Sequence, residues 1–529
     1  DASEKEKEQT PEEEPRGWLP HLLQTWGCGE TLREFDATHL IHLDDSFFER
    51  TLLEGLSHPE KLSTLLLDLR SYRSRGISVE RVHDKPFRDA LLRLTGLTSL
   101  SIGYFSSITD EALHDIPSFS NLTSLSLVGV KKLTESAVQG ILSQCASTLT
   151  RLRLQPYRHT IGHACLTPIH HSPILTHLRV AFSHTGMSTV PGYARNLPPN
   201  LESLEWLGFN SIFCAEDLYN LPRTIKHLKL PRQQELATLT LEGEDTRQLL
   251  PPGLISLQCY DPVHLTENFV RTLPTSLTDL DMTEWTDATP DWLTHLSRLT
   301  NLQSFTMQWT NLSGDWLPKC LPPQLKRLKF HTRGNISETD LIGLPSGLVS
   351  VEISTQSLDP ACLRHLPLSV EKLSCTALNQ KIESLRDRTA LRALKLTVIP
   401  TQTDLAEQLH LLPPNLEILA LHGFDRITKE LLSAVPRHLK SLRFNLVTQW
   451  EGDFGPVMAE LPTTLRKLTI INGHEDALKG DEFLDALPPN ITFLDLSGCW
   501  AHDATRQLTP LFSEAKLSEL GRKIKIILP

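Results

Sequence analysis

The stretch that decides the fold is "LPPNLESLEWLGFN", residues 197–210, in which two prolines precede the regularly spaced Leu201, Leu204 and Trp206. The same arrangement returns further along the chain as "LPTSLTDLDM", "LPPQLKRLKF", "LPPNLEILAL" and "LPTTLRKLTI". A pattern that recurs so often in one chain is typical of a repeat architecture.

The repeat unit is a window with apolar residues at its positions 1, 4 and 6. Eighteen windows fit, and from Leu97 onward they begin 21 to 29 residues apart. They start at Leu62, Leu97, Leu122, Leu149, Leu175, Leu201, Ile225, Leu254, Leu277, Leu302, Leu325, Leu348, Val370, Leu391, Leu416, Leu439, Leu465 and Ile491. A weaker nineteenth window starts at Leu32. This regularity predicts a repeat protein over most of the 529 residues.

Each window carries the pattern of a short strand. Positions 4 and 6 are apolar and alternate with mostly polar positions 3 and 5, and a period of two predicts a strand with one buried face. Five leucines at position 4 are therefore expected to face the core. They are Leu204, Leu280, Leu328, Leu419 and Leu468.

Segments with helix-like spacing follow several strands, for example "LTESAVQGIL" at 133–142. Thr109, Thr134 and Thr428 precede acidic residues in such segments and are expected helix N-caps. A strand and a short helix repeated about every 25 residues predict an α/β fold, a right-handed solenoid with a parallel sheet.

The prolines have a structural interpretation. In eleven of the thirteen windows from Leu201 onward, Pro lies three residues before position 1 and follows Leu or Val. The windows at Leu302 and Leu391 are the exceptions. Because Pro lacks an N–H and disfavours the helical conformation of the residue before it, we expect it to end the convex helix and to extend the chain into the next strand. The preceding Leu or Val is expected to pack inward.

Two repeat types resemble known ones. "LTSLSIGYFSSITDEAL" at 97–113 and "LTSLSLVGVKKLTESAV" at 122–138 resemble the longer leucine-rich repeats of ribonuclease inhibitor and F-box-associated proteins. The "LPPNLESLEWLGFN" type is similar to the LP-containing repeats of amoebal FNIP-type proteins and bacterial effectors. The resemblance covers roughly residues 62–500 and implies a leucine-rich-repeat solenoid, a horseshoe with a parallel concave sheet and short convex helices.

One departure from the family concerns the turn after each strand. The usual Asn or Cys at position 9 is nearly absent, and Phe105, Val130, Trp285 and Phe424 stand there instead. Cys499 is the only clear match. The turn must therefore be stabilised by other groups.

Four segments are expected along the chain. Residues 1–16 are charged and lack a hydrophobic pattern, which predicts a disordered acidic tail. Residues 17–61 are expected to form an N-terminal cap with a first irregular repeat, and residues 62–500 the solenoid of about 18 repeats. Residues 501–529 are expected to form a C-terminal cap, in which "KIKIIL" at 523–528 resembles a closing strand.

Composition and cysteine usage indicate the cellular compartment in which the protein is expected. The chain has 40% hydrophobic residues and a formal net charge of −11, and it contains no run of eighteen apolar residues that could span a membrane. Its nine cysteines are scattered without a C-x-x-C pair, which favours a reduced intracellular compartment, cytoplasmic or organellar. Because the chain opens at Asp1, a cleaved targeting segment stays open as an alternative.

Motifs for chemistry are absent. The sequence has no Walker-type loop, G-x-G-x-x-G, H-E-x-x-H or G-x-S-x-G, so we expect no catalytic residues, no cofactor and no enzymatic activity. The densest group of metal-ligand residues lies in "YRHTIGHACLTPIHHSP" at 157–173. It holds His159, His163, Cys165, His170 and His171. Its prolines and Gly162 favour a polar loop over a zinc site.

The remaining feature is a broad surface. In a curved solenoid the strand positions 2, 3 and 5 coat the concave sheet, and such a surface suits a protein partner better than a small-molecule substrate. We therefore expect a non-catalytic scaffold or adaptor, a subunit of a larger assembly. The alternative is the substrate-recognition subunit of a ubiquitin ligase complex. A basic insertion, "RSYRSRGISVERVHDKP" at 70–86, is interpreted as a solvated loop.

The charge at the concave positions indicates the kind of partner that this surface favours. From Leu97 onward these positions carry fifteen basic and eight acidic residues, about +7, against −11 for the chain. Such a field selects acidic protein surfaces. Nucleic acid is not expected, because few aromatic residues stand between the basic ones. The predicted partner-binding residues are Lys326, Arg327, Lys329, Arg392, Lys395, Lys440, Arg443, Arg466 and Lys467.

Overall fold

The chain forms two compact units, Asp1–Glu235 (unit 1) and Leu236–Pro529 (unit 2). The computed structural model describes residues 32–37, 45, 47–68, 82–156, 161–182, 193–207, 215–230, 249–260, 267–286, 288–355, 358–378, 383–398, 406, 409–423, 426–445, 449–450, 458, 460–471, 481–496, 501–502, 508–509, 513–521 and 524–527. The predicted acidic tail, the segment "GWLPHLLQTW" at 17–26, residues 70–81 of the basic insertion, His159, Phe424 and Cys499 lie outside these described residues.

Unit 1 is built on a sheet in which each strand pairs in parallel with the next along the chain. Its strands are β1 (Glu34–Asp36), β2 (Thr64–Asp68), β3 (Ser99–Gly103), β4 (Ser124–Val128), β5 (Arg151–Gln155), β6 (His177–Ala181), β7 (Ser203–Leu207) and β8 (His227–Leu230). Its α-helices are α1 (Asp84–Arg93), α2 (Glu135–Cys145) and α3 (Ala215–Tyr219). A π-helix spans Phe47–Glu54, and 3-10 helices span Pro59–Lys61, Asp110–Ala112, Pro117–Asn121, His163–Ile169 and Tyr193–Asn196.

Unit 2 continues the same plan with shorter helices. Its main sheet is parallel and contains β9 (Ser256–Tyr260), β10 (Asp279–Thr283), β11 (Ser304–Thr310), β12 (Arg327–Thr332), β13 (Ser350–Ser354), β14 (Lys372–Leu378), β15 (Ala393–Val398), β16 (Ile418–His422), β18 (Ser441–Asn445), β20 (Lys467–Ile471), β21 (Phe493–Asp495) and β24 (Lys525–Ile527). Two small sheets pair β17 (Arg426–Ile427) with β19 (Gln449–Trp450), and β22 (Ala501–His502) with β23 (Leu508–Thr509).

The helices of unit 2 are mostly single turns. They are α4 (Glu267–Thr272), α5 (Pro290–Leu293), α6 (Leu317–Cys320), α7 (Glu338–Leu341), α8 (Lys429–Ser433), α9 (Asp481–Asp485) and α10 (Glu514–Gly521). The 3-10 helices are Thr294–Arg298, Pro360–His365 and Glu383–Leu385. Strands joined by short helices into a parallel sheet are the α/β leucine-rich-repeat solenoid that the sequence predicts.

The predicted strand register is confirmed. All eighteen windows contain one strand of a main sheet, and β1 belongs to the weaker window at Leu32. Adjacent strands pair at equal window positions, for example Leu178 with Leu204 and Leu204 with Leu228, so apolar side chains form continuous buried rows. The five leucines that were expected to face the core are between 0 and 2% exposed. The segment at 523–528 supplies the strand β24, which pairs with β21.

A tight turn precedes the strands. In all eleven Pro-containing windows the proline carbonyl accepts the N–H of position 1, with N–O distances of 3.0 to 3.3 Å. Leu321, which precedes Pro322, is extended with a ψ of 136° and ends α6, as expected for a residue before proline. The apolar residue before each of these prolines is buried, except the half-buried Leu487. The structural interpretation of the prolines is therefore confirmed, with that one exception.

The two windows without this proline, at Leu302 and Leu391, have an arginine at or next to the proline position. The turn is still made, since Leu299 and Arg388 carbonyls accept the position 1 N–H groups at 2.9 and 3.0 Å. Arg298 Nη2 donates to the carbonyls of Val270 and Leu273 at 3.0 and 2.6 Å, which end the preceding helical segment. The buried Arg388 donates to the carbonyls of Leu363, Arg364 and Leu366 in the same way. Burial lowers the pKa of both arginines.

A polar ladder joins successive repeats at the residue just before position 1. There, hydroxyl or amide groups donate to carbonyls of the preceding repeat, as Thr224 Oγ1 does to Leu201 O at 2.8 Å and Asn200 Nδ2 does to Pro173 O at 2.8 Å. The other members are Asn121, Thr148, Ser276, Asn301, Ser369, Asn415, Thr464 and Asn490. These bonds satisfy turn carbonyls that would otherwise lack partners within the protein.

The turn after the strand is stabilised by a left-handed residue at position 8. Tyr104, Gly129, Glu284 and Gly423 have φ values of 63°, 64°, 64° and 81°, and each N–H donates to the carbonyl at position 7 of the next repeat. Position 9 then points inward, and Phe105, Val130 and Trp285 are at most 1% exposed. In these repeats an apolar anchor stands at the position where the family usually has Asn.

The three expected N-caps are confirmed. Thr109, Thr134 and Thr428 each accept a helix N–H through the hydroxyl oxygen, at 3.4, 3.2 and 3.1 Å. Two of these threonines are also hydrogen-bonded to aspartates of the preceding repeat. Asp84 accepts the N–H and the hydroxyl of Thr109 at 2.8 and 2.6 Å, and Asp110 accepts those of Thr134 at 2.8 and 2.7 Å. These bonds fix the helix starts of neighbouring repeats to each other.

We expect replacement of Leu328 by Ser to lower the free energy of unfolding by about 3–5 kcal/mol, because it opens a cavity and buries a hydroxyl. The matched change Lys326→Ser, at an exposed position two residues earlier, should cost less than about 0.5 kcal/mol. Urea unfolding monitored by circular dichroism measures both. Equal losses for the two variants would show that the strand register is wrong.

Replacement of the buried Arg388 by Ala should destabilise the protein by about 3 kcal/mol or more, because three carbonyls lose their donor. The exposed Arg386, two residues away, serves as the control, and Arg386→Ala should stay within about 0.5 kcal/mol of wild type. If urea unfolding gave the same midpoint for both variants, Arg388 would not have the structural role assigned to it.

Candidate functional site

The candidate site is the solvent face of the strands from β12 to β20, here named the unit 2 strand face. Side chains at positions 3 and 5 point away from the buried positions 4 and 6, so they lie on this face. Of the nine predicted partner-binding residues, five lie on strands: Arg327, Lys329, Lys395, Arg443 and Lys467. The other four, Lys326, Arg392, Lys440 and Arg466, stand directly before or near the strand starts at position 2.

The structure pairs three of these cations with acidic residues. Arg327 Nη2 lies 2.9 Å from Asp279 Oδ1 and therefore reaches across β11. Lys329 Nζ lies 3.1 Å from Glu352 Oε1, and Lys440 Nζ lies 2.8 Å from Glu417 Oε2. Exposed pairs of this kind contribute little to stability, but they reduce the charge available to a partner. The count of about +7 already includes these three carboxylates, so pairing leaves the excess charge unchanged but leaves fewer cations available to a partner.

Two further cations contact uncharged groups. Lys467 Nζ lies 4.3 Å from the ring centroid of Phe493, a cation–π distance. Arg392 Nη1 donates to the carbonyl of Asn415 at 3.3 Å. Arg392 also lowers the pKa of Glu417, although the hydrogen bond from Lys440 has the larger effect. The charge at position 2 alternates from one strand to the next between β14 and β18, where the residues are Glu371, Arg392, Glu417 and Lys440.

Lys395 and Arg443 differ from the paired cations. They occupy position 5 on β15 and β18, in register with Ala420 of β16 between them. Strands lie about 4.8 Å apart, so the two cations flank the small alanine over roughly 10 Å. Both are exposed, and neither forms an ion pair with any residue that the structure describes. The arrangement can receive an anionic group over Ala420.

An exposed apolar residue adjoins these cations. Ile418 precedes Ala420 by two residues on β16, on the same face, and is 47% exposed. Its register neighbours are the small Ala393 and Ser441, so no large side chain of those two strands covers it. We name Lys395, Ile418, Ala420 and Arg443 the basic–apolar patch. It combines positive charge with apolar surface about two residues apart along a strand.

His422 reports on the charge of the patch. It lies at position 7 of β16 and hydrogen-bonds Asn445 at 3.2 Å. Burial, together with the nearby charges of Lys395 and Arg443, lowers the pKa of His422 to about 4. The imidazole is therefore neutral at pH 7, and Lys395 and Arg443 both oppose its protonation.

Sequence reasoning missed an exposed tryptophan on the same sheet. Trp309 is 53% exposed with a φ of 61°, which is unusual for a bulky residue. Its ring centroid lies 6.2 Å from that of His331, and His331 Nε2 lies 3.0 Å from Glu352 Oε1. Hydrogen bonds from His331 and Lys329 lower the pKa of Glu352 to about 2. The sequence signal that could have pointed to Trp309 was its place at window position 8, in the segment that follows the alternating strand positions.

A groove of about 1070 Å³ runs along the strand starts at the end of unit 2, beside α10. Arg392, Lys440 and Arg466 line it together with Lys516. Lys516 lies 2.5 Å from Asp485 and 3.1 Å from Glu519, so its charge is compensated. The groove brings three of the predicted cations into one surface depression.

The described part of the histidine-rich segment forms no metal site. Cys165 is buried, and burial raises its pKa to about 12, which disfavours the thiolate that metals bind. Among the residues that the structure describes, no group of three or more metal-ligand side chains comes together. Likewise, none of the described helices is long and apolar enough to cross a membrane.

Comparisons with known proteins bear on the fold alone. No protein-family model and no curated protein matches the sequence. Among solved structures, the circular leucine-rich-repeat protein CroV588 is similar over 84% of this chain and 67% of its own, at 17% identity and a TM-score of 0.38. The leucine-rich repeat-containing protein LegL7 from Legionella pneumophila is similar over 52% of this chain and 91% of its own, at 16% identity and a TM-score of 0.30.

The mouse RP105/MD-1 complex also contains a similar chain. The similarity covers 94% of this chain and 82% of that chain, at 15% identity and a TM-score of 0.45. Because all three TM-scores lie below 0.5, these likenesses carry no argument about function.

We expect the double variant Lys395→Ser/Arg443→Ser to raise the pKa of His422, because two positive charges that oppose protonation are removed. Burial of the imidazole remains, so the pKa should stay below the ordinary value of 6.5. The titration of the His422 ring Cε1–Hε1 signal between pH 3 and 8, assigned with His422→Gln, measures it. Lys326→Ser is the control and should leave the titration unchanged. An unchanged pKa in the double variant would show that Lys395 and Arg443 do not affect the protonation of His422.

Proposed function

We propose that the protein is a non-catalytic interaction scaffold or adaptor that binds an acidic segment of a partner protein on the unit 2 strand face. The observation that supports this most directly is the basic–apolar patch, in which Lys395 and Arg443 lack described ion-pair partners beside the exposed Ile418. Cations of this kind attract acidic partners and accelerate association. The remaining predicted cations extend the positive surface on either side.

The sheet is suited to recognition because its backbone is fixed. Each strand of the face is hydrogen-bonded on both sides, and the side chains beneath it are buried, so exposed residues are held in a set register. A rigid surface loses little conformational entropy on binding. Trp309 supplies a second exposed contact, since tryptophans often dominate binding energy in protein interfaces.

Finer assignments belong to this proposal. The scaffold is proposed as a subunit of a larger intracellular assembly, with a ubiquitin ligase receptor as the alternative. The likeness of the repeats to ribonuclease-inhibitor, F-box-associated and FNIP-type repeats is proposed at the level of sequence pattern. The absence of catalysis is proposed because the sequence lacks catalytic motifs. The four predicted segments and their boundaries are proposed from the spacing of the repeats.

The site is tested with the triple variant Lys395→Ser/Ile418→Ser/Arg443→Ser. The matched control Lys319→Ser/Arg333→Ser/Ile342→Ser also removes one Lys, one Arg and one isoleucine of almost equal exposure, 48% against 47%. Loss of two charge contacts and of one isoleucine that the bound partner would cover should weaken the complex by about 2 kcal/mol or more, roughly thirtyfold. Circular dichroism checks that both variants fold.

Tagged wild-type and variant proteins are used to capture partners from native extract, followed by quantitative mass spectrometry and binding measurements with the purified partner. The partner should be retained by the control and lost with the triple variant, and added salt should weaken wild-type binding. Equal binding to both variants would refute the proposed surface. Recovery of a cullin adaptor would favour the ligase alternative, and a stoichiometric large complex would favour the scaffold.

A further inference from the structure

The centre of the basic–apolar patch is the small side chain of Ala420. Lys395 on β15 and Arg443 on β18 are its register partners, one on each side. Because strands lie about 4.8 Å apart and both cations have long side chains, the ammonium and the guanidinium can converge above the alanine methyl group. Ala420 is half-buried, whereas both cations are exposed. We name the surface that they enclose the Ala420 depression.

Two further residues border this depression along β16 itself. Ile418 precedes Ala420 by two residues and His422 follows it by two, so all three lie on one face of the strand. Asn445 Nδ2 donates to His422 Nδ1 at 3.2 Å, so the neutral ring carries its proton on Nε2. Nε2 makes no hydrogen bond with any residue that the structure describes. The depression therefore has an N–H donor at one end and an apolar side chain at the other.

The two cations act on the same place. Besides burial, the charges of both Lys395 and Arg443 lower the pKa of His422. Neither cation forms an ion pair with a residue that the structure describes. The acidic residue nearest to the depression in sequence is Glu417, and Lys440 Nζ lies 2.8 Å from its carboxylate. Two positive charges without a described ion pair therefore flank the depression.

We propose that the Ala420 depression binds a phosphoserine or phosphothreonine of the partner's acidic segment. This inference rests on the proposed function and specifies the anionic group that the site takes. A phosphomonoester carries a charge of about −1.5 to −2 at pH 7 and three acceptor oxygens, so it can balance both cations and accept the His422 N–H. A carboxylate has one charge and two oxygens, so it would leave one cation without a counterion.

The position of Ile418 predicts the sequence around the phosphorylated residue. Ile418 and Ala420 are two residues apart on a parallel strand, about 6.6 Å, and residues two apart in an extended peptide have the same separation. An apolar residue two positions from the phosphorylated one would therefore cover Ile418, which is 47% exposed.

The test uses two peptides that cover both chain directions, acetyl-Leu-Gly-phosphoserine-amide and acetyl-phosphoserine-Gly-Leu-amide. Calorimetry measures their affinity, and the ring Cε1–Hε1 signal of His422 reports binding at the depression. We expect saturable binding of at least one peptide. The pKa of His422 should rise in the complex, because the dianion offsets the two cations.

Matched probes separate the phosphate from other features of the peptide. Glu in place of phosphoserine should weaken binding at least about tenfold, and Ser should abolish it. Gly in place of Leu should weaken binding about threefold or more. Inorganic phosphate should also bind more weakly than the better phosphopeptide, because it has no apolar group to cover Ile418.

Two variants separate charge from shape. Lys395→Ser/Arg443→Ser should weaken binding of the better phosphopeptide at least about tenfold. Ala420→Leu keeps both cations but fills the depression, and we expect a similar loss. The control Lys319→Ser/Arg333→Ser also removes one Lys and one Arg and should stay within about twofold of wild type. Circular dichroism checks that each variant folds.

The natural partner provides a second measurement. Partner purified with phosphatase inhibitors should bind the wild-type protein at least about tenfold more tightly than the same partner treated with phosphatase. The absence of saturable binding by both phosphopeptides would overturn the phosphate assignment. An equal affinity for the Glu peptide, for inorganic phosphate or for the treated partner would also overturn it. These results would leave the proposed function intact, since that proposal fails only if the partner binds the triple variant and its control equally.

Discussion

The structure depends on one backbone hydrogen bond, in which the N–H at window position 1 donates to the carbonyl three residues earlier. This bond closes a turn ahead of the strand in sixteen of the eighteen windows, whether or not proline is present, as Leu302 and Leu391 show. It ends the convex segment and sets the first residue of the strand. Since every strand then begins at the same window position, leucines stack on leucines, and the buried rows follow from that register.

The turns leave backbone carbonyl and N–H groups without backbone hydrogen-bond partners. Side chains from neighbouring repeats form hydrogen bonds with these groups. Thr224 and Asn200 donate to carbonyls on one edge, and Asp84 and Asp110 hold the caps of the following helices. Where the pattern lacks proline, Arg388 supplies several donors at once. Unpaired buried carbonyls cost free energy, so these bonds tie one repeat to the next.

The proposed function depends on the side chains that the register leaves exposed. On the unit 2 strand face, Arg327, Lys329 and Lys440 are paired, whereas Lys395 and Arg443 flank Ala420 without an ion pair to any described residue. The difference comes from the neighbouring strands, since a carboxylate is within reach in the first three cases. A linear count of charges treats all five cations as equal, although their availability to a partner differs.

The sequence by itself determined the strand positions, the buried leucines, the role of proline and the caps, because each depends on local spacing along the chain. It also predicted the basic surface, but not which of its cations lack an ion pair among the described residues. Ion pairs such as Arg327–Asp279 and the carbonyl contacts of the buried Arg388 were decided by tertiary structure. They join residues of different repeats, and which side chains meet there depends on the register between strands and on side-chain direction, which no single window contains.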